Sequence, residues 1–180
     1  MGVIERAGHL HVSSPYLQDA LRPDLPAVLR RARAAGLTVS LDPGWDPREV
    51  FVDLVPVLDA VDVFLPNEEE ALRISGAPDV DGALAALAAR VPLVVVKRGP
   101  RGAVAAEDGR TLAVAASPVE VVDATGAGDG FNAGFLWARL AGRPVEECLR
   151  AGAFAGAAAT RAPGGTTAFP TAAELRAAVA

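Results

Sequence analysis

The sequence lacks the features that mark several large classes of protein. Its 180 residues include a single cysteine, Cys148, so an internal disulfide is excluded and a reducing, cytoplasmic compartment is expected. There is no basic excess, because the net charge is −5 and the pI about 5.0, and this argues against nucleic acid or a membrane as a partner. No apolar run is long enough to span a bilayer, and the first residues lack the basic-then-apolar order of a signal peptide.

The composition is instead that of a folded domain. Hydrophobic residues make up 51% of the chain and charged residues 22%, which is typical of a soluble globular protein with a core. The length fits one such unit, so residues 1–180 are expected to form a single domain. The cluster Arg30, Arg31 and Arg33 lies in a predicted helix and is interpreted as a solvated face.

One stretch, residues 119–137, combines three local signals in a row. Residues 119–122 are mostly valine and predict a short strand. Gly126, Ala127 and Gly128 then form a turn with almost no side chains, and apolar residues recur at helical spacing up to Ala141. A glycine turn that opens a helix presents unpaired N–H groups and the positive end of the helix dipole, so it favours an anion such as a phosphate.

The unusual residue of this stretch is Asp129, a carboxylate placed where an anion would bind. It opposes binding alone, but it has a use if it removes a proton from a hydroxyl that then attacks phosphorus. A Walker A loop would need Gly-Lys-Ser/Thr here, and a Rossmann fingerprint would need a small residue where Phe131 stands. The alternative, a glycine turn that serves packing alone, leaves the acidic residue unexplained.

Polar residues also follow three other predicted strands, at the strand ends where open α/β sheets bind ligands. Asp42 is either an active-site acid or a turn former. Asn67 and Glu70 have the spacing of a helix-capping pair. Lys97, with glycines at 99 and 102, indicates either a phosphate-contacting turn or a hairpin turn with solvated cations.

The periodicity predicts an α/β fold with a mainly parallel sheet and one antiparallel hairpin. His9 and His11 share one strand face and are interpreted as structural or surface residues, because no third metal ligand is near in sequence. Asp46 is predicted to cap a helix that begins at Pro47, and Asp108-Gly109 is typical of a type I′ hairpin. Strands are predicted at 8–14, 37–42, 61–65, 93–97, 103–106 and 111–115, and helices at 24–35, 79–90, up to 141, 144–160 and from 172.

The segment from Asp123 to Phe131, Asp-Ala-Thr-Gly-Ala-Gly-Asp-Gly-Phe, resembles the second signature of the ribokinase-like (PfkB) carbohydrate kinases. The resemblance implies a three-layer α/β/α fold and ATP-dependent phosphoryl transfer to a hydroxyl of a sugar-like molecule. Asp129 would be the general base, and the N–H groups of Gly126, Ala127 and Gly128 would hold charge on the transferred phosphate. Ala124 stands where the family usually has Thr, Ser, Pro or Val.

The resemblance also assigns the cofactor site. Asn67 and Glu70 match the family's Asn-x-x-Glu motif for Mg²⁺ and phosphate, in which the glutamate usually acts through metal-bound water. Lys97, Gly99, Gly102 and Thr125 would line the nucleotide together with the glycine turn. The loop 161–166 would close the site, and in some members nearby carbonyls bind a monovalent cation such as K⁺. Ala153 replaces an adenine-contacting Asn of many relatives, and Gly44 replaces the Asn of a frequent Asp-Pro-Asn.

The likeness runs from about His9 to Pro170 and matches only the C-terminal part of the family. The family's N-terminal strands, lid, first glycine signature and most sugar-binding residues are not in this sequence. It is therefore expected to be a truncated product, a chain with a wrongly assigned start or a fragment, and its exposed sheet edge predicts homo-oligomers. Three functions stay open: a sugar kinase, a nucleotide-binding remnant without kinase activity, and a vitamin-precursor kinase of the same superfold. The sequence does not identify the acceptor.

Overall fold

The computed structural model describes residues 4–179. Its strands are β1 His9–Ser13, β2 Thr38–Asp42, β3 Val63–Phe64, β4 Leu93–Lys97, β5 Ala103–Glu107 and β6 Arg110–Val114. Its α-helices are α1 Leu25–Ala34, α2 Glu68–Ser75, α3 Val80–Ala88, α4 Ala127–Leu140, α5 Val145–Ala159 and α6 Ala172–Ala178. Short 3-10 segments lie at Ile4–Arg6, Pro15–Leu17, Arg22–Asp24, Val52–Ala60 and Gly99–Arg101. None of the helices in the described range has the length and apolarity needed to cross a membrane.

The six strands form one sheet in the order β1-β2-β3-β4-β5-β6. The first four are parallel, with His9 opposite Thr38 and Ser13 opposite Asp42. Asp108 and Gly109 both have positive φ, 50° and 73°, as a type I′ turn between β5 and β6 requires. The prediction of a mainly parallel sheet with an antiparallel hairpin is therefore confirmed. Within the described residues β1 has a partner strand on one edge only.

By its contacts the chain divides into two compact units. The first comprises the residues up to Val96 together with Ala106–Arg110, and the second comprises Lys97–Ala105 and the residues from Thr111 onward. The prediction that residues 1–180 make a single domain stays a prediction.

The first unit is built on the parallel strands. The first four residues of β4 are all buried, as expected of a strand covered on both faces. The largest side chains of this unit that are less than 2% exposed include Phe51, Phe64, Leu29 and Leu41. On β1, both histidines bond to the Ser40 hydroxyl, from His9 Nε2 at 2.8 Å and His11 Nδ1 at 2.7 Å. They lie on one face and hold β1 to β2, as their structural interpretation requires.

The second unit is dominated by α4 packed on α5 through small residues. A Cβ atom on Gly130 would lie 2.9 Å from the carbonyl oxygen of Ala155, and one on Gly134 would overlap the backbone of Ala151. The two helices thus approach almost backbone to backbone, which explains why α5 is so rich in alanine and glycine.

Two local predictions were wrong. Residues 119–122 form no strand and pair with none of the six strands of the described sheet, and Val119, Val121 and Val122 are 38%, 60% and 59% exposed. Likewise, no helix starts at Pro47. Asp46 accepts backbone N–H groups, but from an irregular loop in which Glu49 and Phe51 have positive φ, a conformation that a right-handed helix excludes.

Candidate active site

The N-terminus of α4 presents Asp129 to solvent. Gly126 precedes the helix with φ of +75°, and the first full helical bond runs from Gly130 N–H to the Gly126 carbonyl at 2.8 Å. Asp129 is the third residue of the helix and exposed, and its carboxylate accepts no hydrogen bond and forms no ion pair among the described residues. A carboxylate in this state can accept a proton from an approaching hydroxyl, because no protein donor competes for its oxygens.

The backbone donors beside Asp129 are only partly available. Ala127 N–H, predicted to face the phosphate, donates to the Ala124 carbonyl at 3.2 Å. By contrast, the N–H groups of Gly126, Gly128 and Asp129 reach no acceptor within the described part of the chain. Among the described residues the first turn of α4 thus keeps three unpaired backbone N–H groups, as an anion site requires, and the N–H of Ala127 is not one of them.

A cation lies beside the same turn. Lys97, the last residue of β4, donates from Nζ to Asn132 Oδ1 at 3.3 Å, and the same Nζ would be 3.7 Å from a Cβ atom placed on Gly128. Asn132 is 3% exposed and follows Asp129 by one helical turn. Lys97 thus lies beside the glycine turn, its predicted contact with a phosphate stays a prediction, and Asn132 was not predicted. Its only sequence signal is the i, i+3 spacing from Asp129.

The glycine turn is tied to the loop 161–166 by Asp123. Its carboxylate accepts from Thr125 N–H at 2.9 Å and from Gly164 N–H at 3.1 Å. Hydrogen bonds from the Thr125 hydroxyl, Thr125 N–H and Gly164 N–H lower the pKa of Asp123 below its usual value. Here a Cβ on Gly126 would lie 2.5 Å from the Gly165 carbonyl oxygen. Thr125 therefore takes part in holding the turn, whereas its predicted contact to a nucleotide stays a prediction.

The turn after β4 is shaped by Gly99 and Gly102. The segment Gly99–Arg101 is a single 3-10 turn in which Gly102 N–H donates to the Gly99 carbonyl at 3.0 Å, and Arg98 N–H donates to the Gly102 carbonyl at 2.8 Å. A Cβ on Gly102 would overlap the carbonyl oxygen of Val114, so this glycine is required by the packing of the hairpin itself. The hairpin interpretation thus accounts for Gly102, and its assignment to the nucleotide rests on the family resemblance.

In the first unit, Asn67 and Glu70 form a complete capping box at the start of α2. Glu70 N–H donates to Asn67 Oδ1 at 2.9 Å, and Asn67 N–H donates to Glu70 Oε2 at 2.7 Å. Glu70 is 4% exposed. The predicted capping role is confirmed, and the predicted role in magnesium and phosphate binding stays a prediction.

The described residues offer Mg²⁺ a single carboxylate rather than a cluster of protein ligands. No group of three or more His, Cys, Asp or Glu residues in the described range could hold a metal ion. Mg²⁺ commonly keeps several waters and binds through one or two carboxylates and substrate phosphates, so a single carboxylate such as Glu70 suits it.

Asp42 behaves as a turn former at one oxygen, since its Oδ1 accepts Gly44 N–H at 3.0 Å.

Two cavities of about 430 and 390 Å³ lie along α5 and were not anticipated from the sequence. They share Phe154, Ala158 and Arg161. The first is completed by residues 117–120 and Val122, and the second by a segment around Phe169. Neither is lined by Asp129, so they are neighbours of the glycine turn in sequence rather than part of the site described above.

Comparison with known proteins agrees with these features. A model of the pfkB family of carbohydrate kinases matches residues 2–172. The chain is 36% identical over 167 residues to a cytidine kinase of Thermococcus kodakarensis, covering 84% of this chain and 59% of that protein. It is 38% identical over 177 residues to a fructokinase of Klebsiella pneumoniae, covering 89% of this chain and 57% of that one.

Solved structures give the same result. The fructokinase of Vibrio cholerae O395 in its fructose-, ADP- and calcium-bound form superposes with a TM-score of 0.83 and 29% identity, covering 96% of this chain and 61% of that chain. The ribokinase of Arabidopsis thaliana complexed with ribose and ATP superposes with a TM-score of 0.80 and 28% identity, covering 98% and 57%. This chain thus spans about three fifths of the length of each of these four relatives.

Proposed function

The chain belongs to the pfkB family of carbohydrate kinases, and we propose that it carries out ATP-dependent phosphoryl transfer to a hydroxyl of a sugar or sugar-like molecule. The observation that carries this proposal is the composition of one helix end. An unpartnered carboxylate, unused backbone N–H groups and a lysine ammonium all belong to the first turn of α4 or lie beside it.

Each group has a role in the transfer. Asp129 accepts the proton of the attacking hydroxyl as its oxygen bonds to the γ-phosphorus of ATP, and the bond from that phosphorus to the bridging oxygen breaks so that ADP leaves. The N–H groups of Gly126 and Gly128 and the Lys97 ammonium face the charge on the transferred phosphate. Asn132 positions Lys97 through the 3.3 Å bond to its Nζ. In this proposal Glu70 would hold Mg²⁺ through water, and a bound Mg²⁺ would supply positive charge to neutralise the phosphates.

The acceptor class follows from the relatives. Their names specify fructose, ribose and cytidine, all of which carry a sugar ring with a free hydroxyl. A second function, nucleotide binding without turnover, also has a specific observation in its favour. The chain spans about three fifths of the length of the two kinases named above, and the unpaired N–H groups of α4 would suit a bound nucleotide without any turnover.

The first experiment separates these functions. The 180-residue chain is titrated calorimetrically with a non-hydrolysable ATP analogue and Mg²⁺, and then assayed with ATP and a panel containing fructose, ribose and cytidine. Both functions predict saturable nucleotide binding, and only the kinase predicts phosphorylated product. A folded chain that does not bind the analogue contradicts both.

The test of mechanism is Asp129→Asn. Nucleotide binding should persist, while turnover should fall by about a hundred- to ten-thousandfold, the usual contribution of a positioned base. Asp81→Asn is the matched control, because Asp81 also lies in the first turn of a helix, α3. It removes the same helix-dipole interaction, about 0.3–1 kcal/mol, without touching the site. Turnover that is equal in the two variants would exclude Asp129 as the base.

A further inference from the structure

An exposed tryptophan lies at the carboxyl end of β2. Trp45 is 38% exposed, and its ring meets the buried ring of Phe51 edge to face, with centroids 5.1 Å apart and planes at 76°. Tyr16 packs against Phe51 in the same manner at 5.6 Å and donates its hydroxyl to the Phe51 carbonyl at 2.7 Å. Trp45 is therefore held by its contact with Phe51, while part of its side chain is exposed to solvent. The three rings are called the Trp45 shelf below.

The backbone around the shelf is strained. Ser14, Glu49 and Phe51 have φ between 51° and 56°, and they are three of the four described non-glycine residues with positive φ. Such conformations cost about 1–3 kcal/mol each and persist only where the surroundings enforce them. Packing alone gives no reason to maintain three of them around a solvent-facing tryptophan, whereas a ligand-contacting loop of fixed shape does.

The loop is also fixed by a buried anchor. Asp46, next to Trp45, is 0% exposed and accepts the N–H groups of Arg48, Val50 and Phe51 at 3.0–3.1 Å. Gly44 lies so close to the β1 loop that a Cβ would be 2.7 Å from Ser14 Oγ. The two loops that follow β1 and β2 therefore hold the shelf in one position.

Two serine hydroxyls lie where β1 ends, and Ser14 lies against Gly44, the residue before Trp45. Ser13 ends β1 opposite Asp42 in the sheet register, and its Oγ lies 3.4 Å from Ser14 Oγ; both serines are partly exposed. A partly exposed aromatic ring and two hydroxyls on neighbouring loops, at the carboxyl ends of parallel strands, suit a ligand ring that has one apolar face and polar substituents at its rim.

We propose that Trp45 is a specificity-determining residue that stacks on the ring of the phosphoryl acceptor, whose hydroxyls bond to Ser13 and Ser14. The inference rests on the proposed function for the identity of the ligand. The shared chemistry is a cyclic sugar, which either a free sugar or a nucleoside supplies. An acyclic polyol has no such ring and binds this site weakly.

Fluorescence of a single tryptophan tests the stacking without any turnover. The chain contains two tryptophans, so Trp137→Phe leaves Trp45 as the sole reporter and Trp45→Phe leaves Trp137. Titration with fructose, ribose or cytidine should change the emission of Trp45 saturably and that of Trp137 little. Sorbitol, an acyclic polyol, should change neither. If fructose or ribose binds more tightly than cytidine, the ring is that of a free sugar; if cytidine binds more tightly, it is that of a nucleoside.

Calorimetry of Trp45→Ala measures the size of the contribution. An aromatic stack of about 1–3 kcal/mol corresponds to a loss of acceptor affinity of about 5- to 150-fold. Trp45→Phe should restore most of it, and Val50→Ala, which removes a 51% exposed apolar neighbour, should leave acceptor affinity unchanged. Circular dichroism and the midpoint of urea unfolding verify that each variant is folded.

The outcomes separate the two proposals. Acceptor binding that depends on Trp45 in a chain without turnover supports the shelf and contradicts the kinase proposal. If turnover is present, Trp45→Ala should raise the acceptor KM more than it lowers kcat and leave the ATP KM unchanged. Acceptor affinity equal in Trp45→Ala and the unmodified chain overturns the inference, as does a folded chain that binds none of the three cyclic acceptors.

Discussion

The buried carboxylate of Asp46 gives a sharp test of how the loop after β2 is held. Its Oδ1 accepts Arg48 N–H at 3.0 Å, and its Oδ2 accepts Val50 N–H at 3.1 Å and Phe51 N–H at 3.0 Å. The residue is 0% exposed, so water does not replace these bonds without opening the loop. Hydrogen bonds to a charged group contribute about 1.5–3 kcal/mol each, and a buried donor left unpaired costs about 1–3 kcal/mol.

The two substitutions at this position should differ by a predictable step. Asp46→Asn keeps one oxygen, which can serve Val50 and Phe51, but turns an amide NH₂ toward Arg48 N–H. One bond is lost and two are weakened, so the free energy of unfolding should fall by about 2 kcal/mol. Asp46→Ala removes both acceptor oxygens and with them all three hydrogen bonds, so it should cost about 3–5 kcal/mol. The cost should lie near the lower value if the loop opens and water pairs with the three N–H groups. The ion pair from Arg48 Nε at 3.5 Å is half-exposed and contributes little.

The direction in which stability changes with pH is an independent test of these hydrogen bonds. Burial acts to raise the pKa of Asp46, but the N–H groups of Phe51, Arg48 and Val50 outweigh it, so the pKa lies below its ordinary value. Because the folded pKa is depressed, the stabilisation is complete above the unfolded pKa of about 3.9 and is lost as pH falls through the folded pKa. The stability difference between the native chain and Asp46→Asn should therefore shrink below about pH 4.

Urea unfolding from pH 7 down to 3 is followed by circular dichroism and tryptophan emission. It measures the loss of stability in Asp46→Asn, the loss in Asp46→Ala and the change of both with pH. Asp19→Asn serves as the control, because its side chain is 88% exposed and its ion pair with Arg22 is on the surface. It should change stability by less than about 0.5 kcal/mol. The reasoning fails if Asp46→Asn is as stable as the native chain, if Asp46→Ala costs no more than Asp46→Asn, or if their difference from the native chain is the same at pH 3 and pH 7.

Two further predictions concern the glycine turn and the β1 edge. Gly126→Ala and Gly142→Ala both place a side chain at positive φ, +75° and +74°, but only Gly126 has a backbone oxygen 2.5 Å from the new Cβ. Both should lose about 1–2 kcal/mol to strain, and Gly126→Ala should lose more in urea unfolding and also lose affinity for the ATP analogue; equal losses would mean that the Gly165 contact is unimportant. Burial lowers the pKa of His9 and is only partly opposed by Asp62, so protonation favours the unfolded chain. Stability should therefore fall as pH drops below about 6.5, and His9→Gln should flatten that slope in urea titrations at pH 7 to 5; an unaltered slope would place the titration elsewhere.

Local signals predicted the fold best where one stretch of chain decides the outcome. The apolar run of β4 appeared at the predicted residues 93–97, the Asp108-Gly109 turn has the predicted backbone, and Asn67 caps α2 through Glu70. In each case the bonding partners lie within a few residues of one another, or burial on both faces leaves a single solution.

The failures share the opposite property. The valines of residues 119–122 have the propensity of a strand, but a strand also needs a neighbour, and propensity does not specify one. Asp46 has the type and place of a helix cap, yet its acceptors serve a loop whose shape depends on Tyr16 and on Phe51. Asn132 was missed because its partner, Lys97, is 35 residues away and comes from another strand.

The three glycines of Gly-Ala-Gly-Asp-Gly show how one motif combines separate requirements. Gly126 is demanded by its positive φ and by the Gly165 carbonyl, and Gly130 by the close packing of α4 on Ala155. Gly128 has neither reason: its φ is negative, and a Cβ there would meet only Lys97 Nζ at 3.7 Å, an ordinary contact. Packing and backbone conformation would therefore both allow alanine at this position. The missing side chain is better explained by something that must approach the backbone between Lys97 and Asp129, and a phosphate is the group those residues suit.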